Sequence, residues 1–349
     1  MGQVHSDRRA RDLCRNLLRR EPADAEVARW AARLAEGMSF EDAFYALVRS
    51  NDAESRRAAP HPTQAAGRAK SAGGIKPGHP PGHFYSPIVD PAAAAAYFER
   101  YSNPSREDIA GIELDLDAMR RFWHAEASVF GYQFREPGGP DRYHREATHY
   151  PESDAITLRA MIHHHRPRRM IEVGSGWSSA CALDAAEAAR LEFRLTCIEP
   201  FPKRLRQLLR PGDEQRVTVL EDYVQNVPSS VFADLEARDI LLIDSSHVLK
   251  TGSDVHHELF HILPTLKDGV LVHFHDCRWP FEYPSGFVFE RGYSWNEAYA
   301  VRALLMYSTR FKVAFYGGLF ARACRAEVMA VRPEFLKNVG SALWVKVER

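Results

Sequence analysis

Two short spacings carry most of the chemistry in this chain. Asp244-x-x-His247 follows the apolar run Ile240–Ile243, and the pair His275-Asp276 follows Val270–Phe274. Carboxylates and an imidazole at the ends of buried strands can take a proton from a hydroxyl group or hold a cation. Three further acids stand in comparable places: Glu172 inside Met170–Val173, Glu199 after Phe193–Ile198, and Asp222 after Val217–Leu220. In an open parallel sheet, ligands bind beyond the carboxyl ends of the strands. Polar ends on five successive apolar runs therefore point to a single site.

The run around Glu172 continues into a turn, Gly174-Ser175-Gly176, which opens a helix at Trp177 or Ser178. A helix start offers unpaired N–H groups to a ligand, and glycine lets the ligand approach the backbone without a Cβ clash. A dinucleotide would fit such a turn, but the third glycine of its fingerprint is replaced by Ser179. Glu172 would also repel a pyrophosphate while welcoming an ammonium group, and Glu199 can accept both hydroxyls of a ribose. An ammonium, a sulfonium and a ribose without phosphate describe S-adenosylmethionine. A NAD(P)-binding enzyme and a non-catalytic binding or scaffold protein with a degenerate version of the fold are the alternatives.

These residues need a sheet to position them. From Arg169 onward, short all-apolar runs alternate with helical stretches at 178–189, 203–209, 254–263 and 296–307. That alternation predicts an α/β fold with a parallel sheet covered on both faces. Two late runs, Phe311–Phe315 and Leu343–Val347, are expected to close it as an antiparallel hairpin edge. The loop 278–294 is long and aromatic, which suits a lid over an apolar or sugar-like acceptor. His273 reads as a core histidine, and no partner makes Cys277 a nucleophile.

The N-terminal part is of another kind. Residues 8–50 carry apolar stripes at helical spacing, among them Val27, Trp30, Ala31 and Leu34 after a capping Asp24. We divide the chain into a helical module over 1–51, a flexible linker rich in Ala, Pro and Gly over 52–83, a helical extension over 84–153 and the α/β domain over 154–349. The extension holds predicted helices over 91–101 and 114–130, and is expected to shape the acceptor side. A further helix from Asp154 ends in His163–His165, whose side chains diverge by about 100° per residue and so read as C-terminal cations, not a metal tract. Formal net charge is zero among 349 residues with 45% hydrophobic and 26% charged side chains, which gives no electrostatic case for nucleic acid or a membrane surface. No apolar run approaches the ~20 residues of a membrane span. The five cysteines form no CxxC pair, and the N-terminus has no apolar signal core, so a reducing cytoplasm is the expected compartment.

The pieces IEVGSGWSS, CIEPFP, DILLIDSSHVLKTGSDV and GVLVHFHDCRWPFEYP, in that order, resemble class I S-adenosylmethionine-dependent methyltransferases of the methyltransferase-24 type. The resemblance implies a Rossmann-like seven-stranded sheet with its last strand antiparallel. It implies cofactor contacts from Glu172, Gly174, Ser175, Gly176, Ser178, Glu199 and Asp222. The spacing of Asp244 and His247 is similar to metal-dependent O-methyltransferases of the catechol and macrolide-sugar types. That similarity implies His247 as base, aided by Asp244, and a tentative Mg2+ or Mn2+ site on Asp244, His275 and Asp276. His275 departs from it, standing where those enzymes usually have a carboxylate. The implied reaction is O-methylation of a small molecule or a glycan. The segment LLRREPADAEVARWAARLAEGMSFEDAFYALVRS resembles the DUF4214-type helical module, a piece suited to protein contacts or oligomerisation.

Overall fold

The computed structural model describes residues 24–35, 77–103, 106, 108–147 and 149–348. The chain forms two compact units, one of residues 1–96 with 226–234, the other of residues 97–225 with 235–349. In the first unit the helix Asp24–Ala35 buries Val27, Trp30 and Ala31, three of the four residues of the expected stripe. The other helices expected over 8–50 lie outside the described residues, as does most of the linker. The helix Pro91–Tyr101, of which Tyr97–Tyr101 belong to the second unit, begins where the Asp90 carboxylate accepts the Ala92 N–H at 3.0 Å.

The second unit is built on a seven-stranded sheet of order β3-β2-β1-β4-β5-β7-β6. Its strands are β1 (Arg169–Val173), β2 (Arg194–Ile198), β3 (Val217–Leu220), β4 (Ile240–Ile243), β5 (Leu271–Phe274), β6 (Phe311–Tyr316) and β7 (Leu343–Val347). β1 to β5 pair in parallel, and β7 runs antiparallel to both β5 and β6. The predicted α/β fold and its antiparallel last strand are both present. The two late strands pair antiparallel at one edge of the sheet as expected, with β7 next to β5 and β6 at the margin, but the link between them is not irregular. Two helices, Gly317–Ala323 and Arg325–Val331, carry the chain from one to the other.

Helices α1 (Glu152–His165) and α2 (Trp177–Ala188) pack beside each other and are buried along most of their length. Their Ala, Ile, Leu and Met side chains leave little polar surface, as expected of helices enclosed by a core. Helix α1 stops at Arg166, which adopts the left-handed conformation. Two of the three histidines before it are tied down, because Glu126 lies 2.6 Å from His163 Nδ1 and 2.9 Å from His164 Nδ1. The third is no cation, since burial pushes His165 down to about 4. The helix expected over 114–130 breaks at Glu126 into Leu116–Ala125 and Ala127–Phe130. Trp123 and Phe130 stack at 4.0 Å across that break, which directs both rings into the core.

One buried cation joins the loop before α1 to α2. Arg142 lies 2.8 Å from Asp184, 2.7 Å from Asp213 and 2.8 Å from Glu187. Asp184 also accepts the backbone N–H groups of Arg142 (2.7 Å) and Tyr143 (2.9 Å). Among the described residues, no helix is long and apolar enough to cross a membrane.

Candidate functional site

Strand register aligns the chemistry. Val173 pairs with Ile198 and Ile243, Ile198 with Leu220, and Ile243 with Phe274. The next residue of each strand therefore falls in one row at the carboxyl edge: Gly174, Glu199, Glu221, Asp244 and His275. Backbone bonds continue into that row, with Gly174 N–H donating to Ile198 (3.0 Å), Asp244 N–H to Val173 (2.9 Å) and His275 N–H to Ile243 (2.9 Å). Asp222 lies one residue beyond, where its carboxylate accepts the Tyr223 N–H at 2.7 Å.

The glycine turn is shaped by its neighbours. Gly174 has φ +77°, and a Cβ there would lie 1.9 Å from the Asp244 carbonyl oxygen. Only glycine fits such a left-handed position against another backbone. Glu199 accepts the N–H of Ser175 (3.2 Å), which ties the turn to the end of β2, and its other oxygen accepts the N–H of Phe201 (2.8 Å) in the loop that follows. The Ser175 hydroxyl is buried without a hydrogen-bond partner, an orphaned polar atom in the turn itself. At Gly176 a Cβ would meet the Arg204 side chain at 3.2 Å.

Glu172 lies elsewhere than the charge argument puts it. It is fully buried, and its carboxylate accepts the hydroxyls of Ser178 and Ser179 at the start of α2. The Cys197 thiol approaches the same carboxylate at 3.8 Å. Burial pushes Glu172 up to about 8, against the lowering effect of the two serines. Its place is behind the turn, holding the helix start, and the Ser178 hydroxyl is spent on it.

Asp244, His247, His275 and Asp276 converge. His275 Nδ1 lies 3.1 Å from Asp244 Oδ1, and His247 Nε2 lies 3.5 Å from the same oxygen. Asp276 Oδ2 is 3.8 Å from His247 Nε2 and 3.9 Å from His275 Nδ1. His247 (φ +60°) and Asp276 (φ +52°) both hold left-handed backbones. That conformation costs a non-glycine residue about 1–2 kcal/mol and gathers at functional sites. Burial alone would push Asp244 up, yet the two imidazoles hold its carboxyl well below the usual range. Burial would likewise lower His247, but Asp244 and Glu297 push it up to about 10. His275 is raised well above the ordinary histidine value, against its burial, by Asp244 and Asp154.

Two partners of this cluster have no signal in the sequence. Glu297 Oε2 lies 2.8 Å from His247 Nδ1, and Asp154 Oδ2 lies 3.3 Å from His275 Nε2. Asp154 sits in the first turn of α1, fixed by the N–H groups of Ser341 (2.9 Å) and Ala342 (3.1 Å). Neither acid belongs to a motif, and only the folded chain brings them to the histidines. His273, one residue pair deeper on β5, is fully buried, and burial holds it well below the ordinary value, hence neutral.

The metal expectation on Asp244, His275 and Asp276 needs correction. His275 Nδ1 lies 3.1 Å from Asp244 Oδ1 and its Nε2 lies 3.3 Å from Asp154 Oδ2, so a metal ion at this ring would have to displace two ion pairs already made. A protonated imidazole already supplies positive charge beside Asp244. Among the described residues, no group of three His, Cys, Asp or Glu side chains is arranged to hold a metal ion.

Aromatic side chains flank the cluster. Trp295 packs on the His247 ring with centroids 4.3 Å apart, and Tyr293 stacks on Trp295 at 4.5 Å. Phe287 meets Trp295 edge-on at 5.3 Å. The loop 278–294 is thus partly ordered around a short helix, Ser285–Phe289.

Residues 171–277 match the methyltransferase-24 family model, described as a methyltransferase domain. An uncharacterized protein of Archaeoglobus fulgidus is 30% identical over 170 residues, covering 45% of this chain and 73% of that one. Among solved structures, an SAH-bound methyltransferase of Podospora anserina aligns at 15% identity, covering 74% of this chain and 95% of that chain with a TM-score of 0.37. A candidate caffeoyl-CoA O-methyltransferase from Staphylococcus aureus aligns at 13% identity, covering 75% and 100%, with a TM-score of 0.40. Likeness at that level bears on neither acceptor nor mechanism.

Proposed function

We propose that this chain, which belongs to one family with the archaeal relative and carries a methyltransferase domain, uses S-adenosylmethionine to methylate a hydroxyl oxygen. The acceptor class we favour is a small molecule or a glycan. One observation carries the reading: the glycine turn and the loop that bears His247 are in direct contact, through Gly174 against the Asp244 carbonyl. A ligand seated on the turn is thereby adjacent to the base. The orphaned Ser175 hydroxyl and the glycine cradle fit a bound nucleoside, and Glu199 retains lone pairs for ribose hydroxyls.

Bound S-adenosylmethionine supplies an electrophilic methyl group on a sulfonium. The chain supplies the rest. His247, in its neutral form, accepts the acceptor's hydroxyl proton at Nε2 as the new oxygen–carbon bond forms. The resulting imidazolium faces Asp244 and Asp276, whose charges stabilise it. His275 stays a cation between Asp154 and Asp244 and keeps the Asp244 carboxylate in place. In this reading the site works without a divalent ion. Trp295, Tyr293 and Phe287 offer the acceptor an aromatic wall. Tyr97, which donates to Glu282 at 2.5 Å, and Phe98, 5.7 Å from Phe289, join the predicted helical extension to that wall.

Isothermal titration of the full chain with S-adenosylmethionine and with NAD tests the cofactor. Binding of the first and not the second is expected; no binding of S-adenosylmethionine at millimolar concentration removes the reading.

A further inference from the structure

The structure assigns to Glu297 the role of positioning residue for His247, an inference that rests on His247 being the base as read above. Glu297 is the first residue of helix α3 (Glu297–Leu305), with a side chain 2% exposed. Its Oε2 lies 2.8 Å from His247 Nδ1 and accepts that nitrogen's proton. The opposite nitrogen, Nε2, faces Asp244 and Asp276 at the edge of the sheet, where the Asp244 side chain is 30% exposed. The two ring nitrogens are thus divided, one held in the protein and one turned to the site.

The backbone makes this arrangement rigid. The His247 carbonyl accepts the N–H groups of Asn296 (3.1 Å) and Glu297 (3.2 Å), two of the donors that a helix start leaves unpaired. The Asn296 side chain accepts the Leu249 N–H at 2.6 Å and donates to the Leu249 carbonyl at 3.2 Å. Loop and helix start are therefore clipped at two residues on each side, which also holds the left-handed backbone of His247. Trp295, packed at 4.3 Å on the imidazole, restricts rotation of the ring.

The chemical consequence follows from tautomerism. A neutral imidazole carries one proton, and the hydrogen bond made by one nitrogen decides which it is. A carboxylate at Nδ1 keeps the proton there and leaves the Nε2 lone pair for the acceptor's hydroxyl. Once Nε2 is protonated, the same carboxylate balances the charge of the ring. A buried carboxylate with no cation beside it would be costly, so the pairing serves Glu297 as well.

Nuclear magnetic resonance on the full chain, labelled with 15N-histidine and saturated with S-adenosylhomocysteine, reads the Nδ1 proton and its hydrogen bond directly. His247 is assigned from the signal lost in His247→Gln. The wild type should show an exchange-protected Nδ1 proton, shifted downfield by its carboxylate partner. In Glu297→Ala that proton should exchange freely and the neutral ring should move to the Nε2–H form. Glu297→Gln is isosteric and decides the matter where the alanine variant does not fold: the Nδ1 proton should move upfield as the charge is lost. Isothermal titration should give an unchanged S-adenosylmethionine affinity in the folded variants. An Nδ1 signal unaltered in Glu297→Gln overturns the inference. Failure of S-adenosylmethionine to bind the wild type sinks the cofactor reading instead, while the His247 signal still answers for Glu297.

Discussion

Asp244 is one carboxylate facing two imidazoles, and that single relation governs how the site should behave. His247 must be neutral to take a proton, and its pKa in the cofactor-free protein is pushed up to about 10. The fraction of free base therefore grows as pH rises, so methyl transfer should increase from pH 7 to pH 9. A rate that is flat or falling over that range, measured on any accepted hydroxyl, removes His247 as the base. Replacing His247 by Ala should cost about 10²–10⁴-fold in turnover with cofactor affinity unchanged. Because both nitrogens of His275 face carboxylates, EDTA should leave turnover and cofactor binding unaltered. Turnover lost in EDTA and restored by Mg2+ would show that a metal takes part after all. At this scale the sequence discloses Asp244, His247, His275 and Asp276 because each follows an apolar strand. It hides Glu297 and Asp154, which stand on helices and reach the histidines only through tertiary packing. It also misplaces Glu172, since the serines that claim its carboxylate are visible in the sequence but their rotamers are not.

Among the elements, the strands are the most legible part, because β1 to β5 are short apolar runs that a covered parallel sheet requires. The final two strands are less so. The chain between them reads as irregular, yet it holds two short helices, and an inserted strand has the same composition as an edge strand. The start of α1 depends on that insertion. Gly340, at φ +72°, lies so close that a Cβ would be 2.0 Å from Asp154 Oδ1. Gly340→Ala should therefore destabilise the fold by about 2 kcal/mol or more, from the left-handed backbone and the lost Asp154 cradle together. Urea unfolding monitored by tryptophan fluorescence checks this, and an unchanged midpoint would refute it. Arg142 is a second junction between elements. Its removal leaves Asp184 and Asp213 buried without their cation, so Arg142→Met should cost about 3–5 kcal/mol in the same assay.

For the molecule as a whole, the shifted groups predict how stability follows pH. Folding raises His247 from 6.5 to about 10, so its contribution is full below pH 6.5 and is lost as pH climbs through 10. Glu172, raised from 4.5 to about 8, acts in the same direction, because the folded chain holds its proton where the unfolded chain has released it. Above pH 6.5 the folded state binds more protons, and the urea midpoint should fall steadily toward pH 10, less steeply in His247→Gln. An invariant midpoint would refute the assignment of these charges. The order of the sheet has a different consequence, for the time course of biosynthesis. β7 is translated after β6, yet it occupies an interior place between β5 and β6. The residues that grip Asp154, Ser341 and Ala342, arrive with it. A nascent chain shorter than residue 340 holds the glycine turn and His247 but lacks the grip on Asp154, the partner of His275. If the proposed reading holds, a chain truncated before β7 should bind and methylate far less than the full chain, and equal turnover in the truncated chain would refute this dependence.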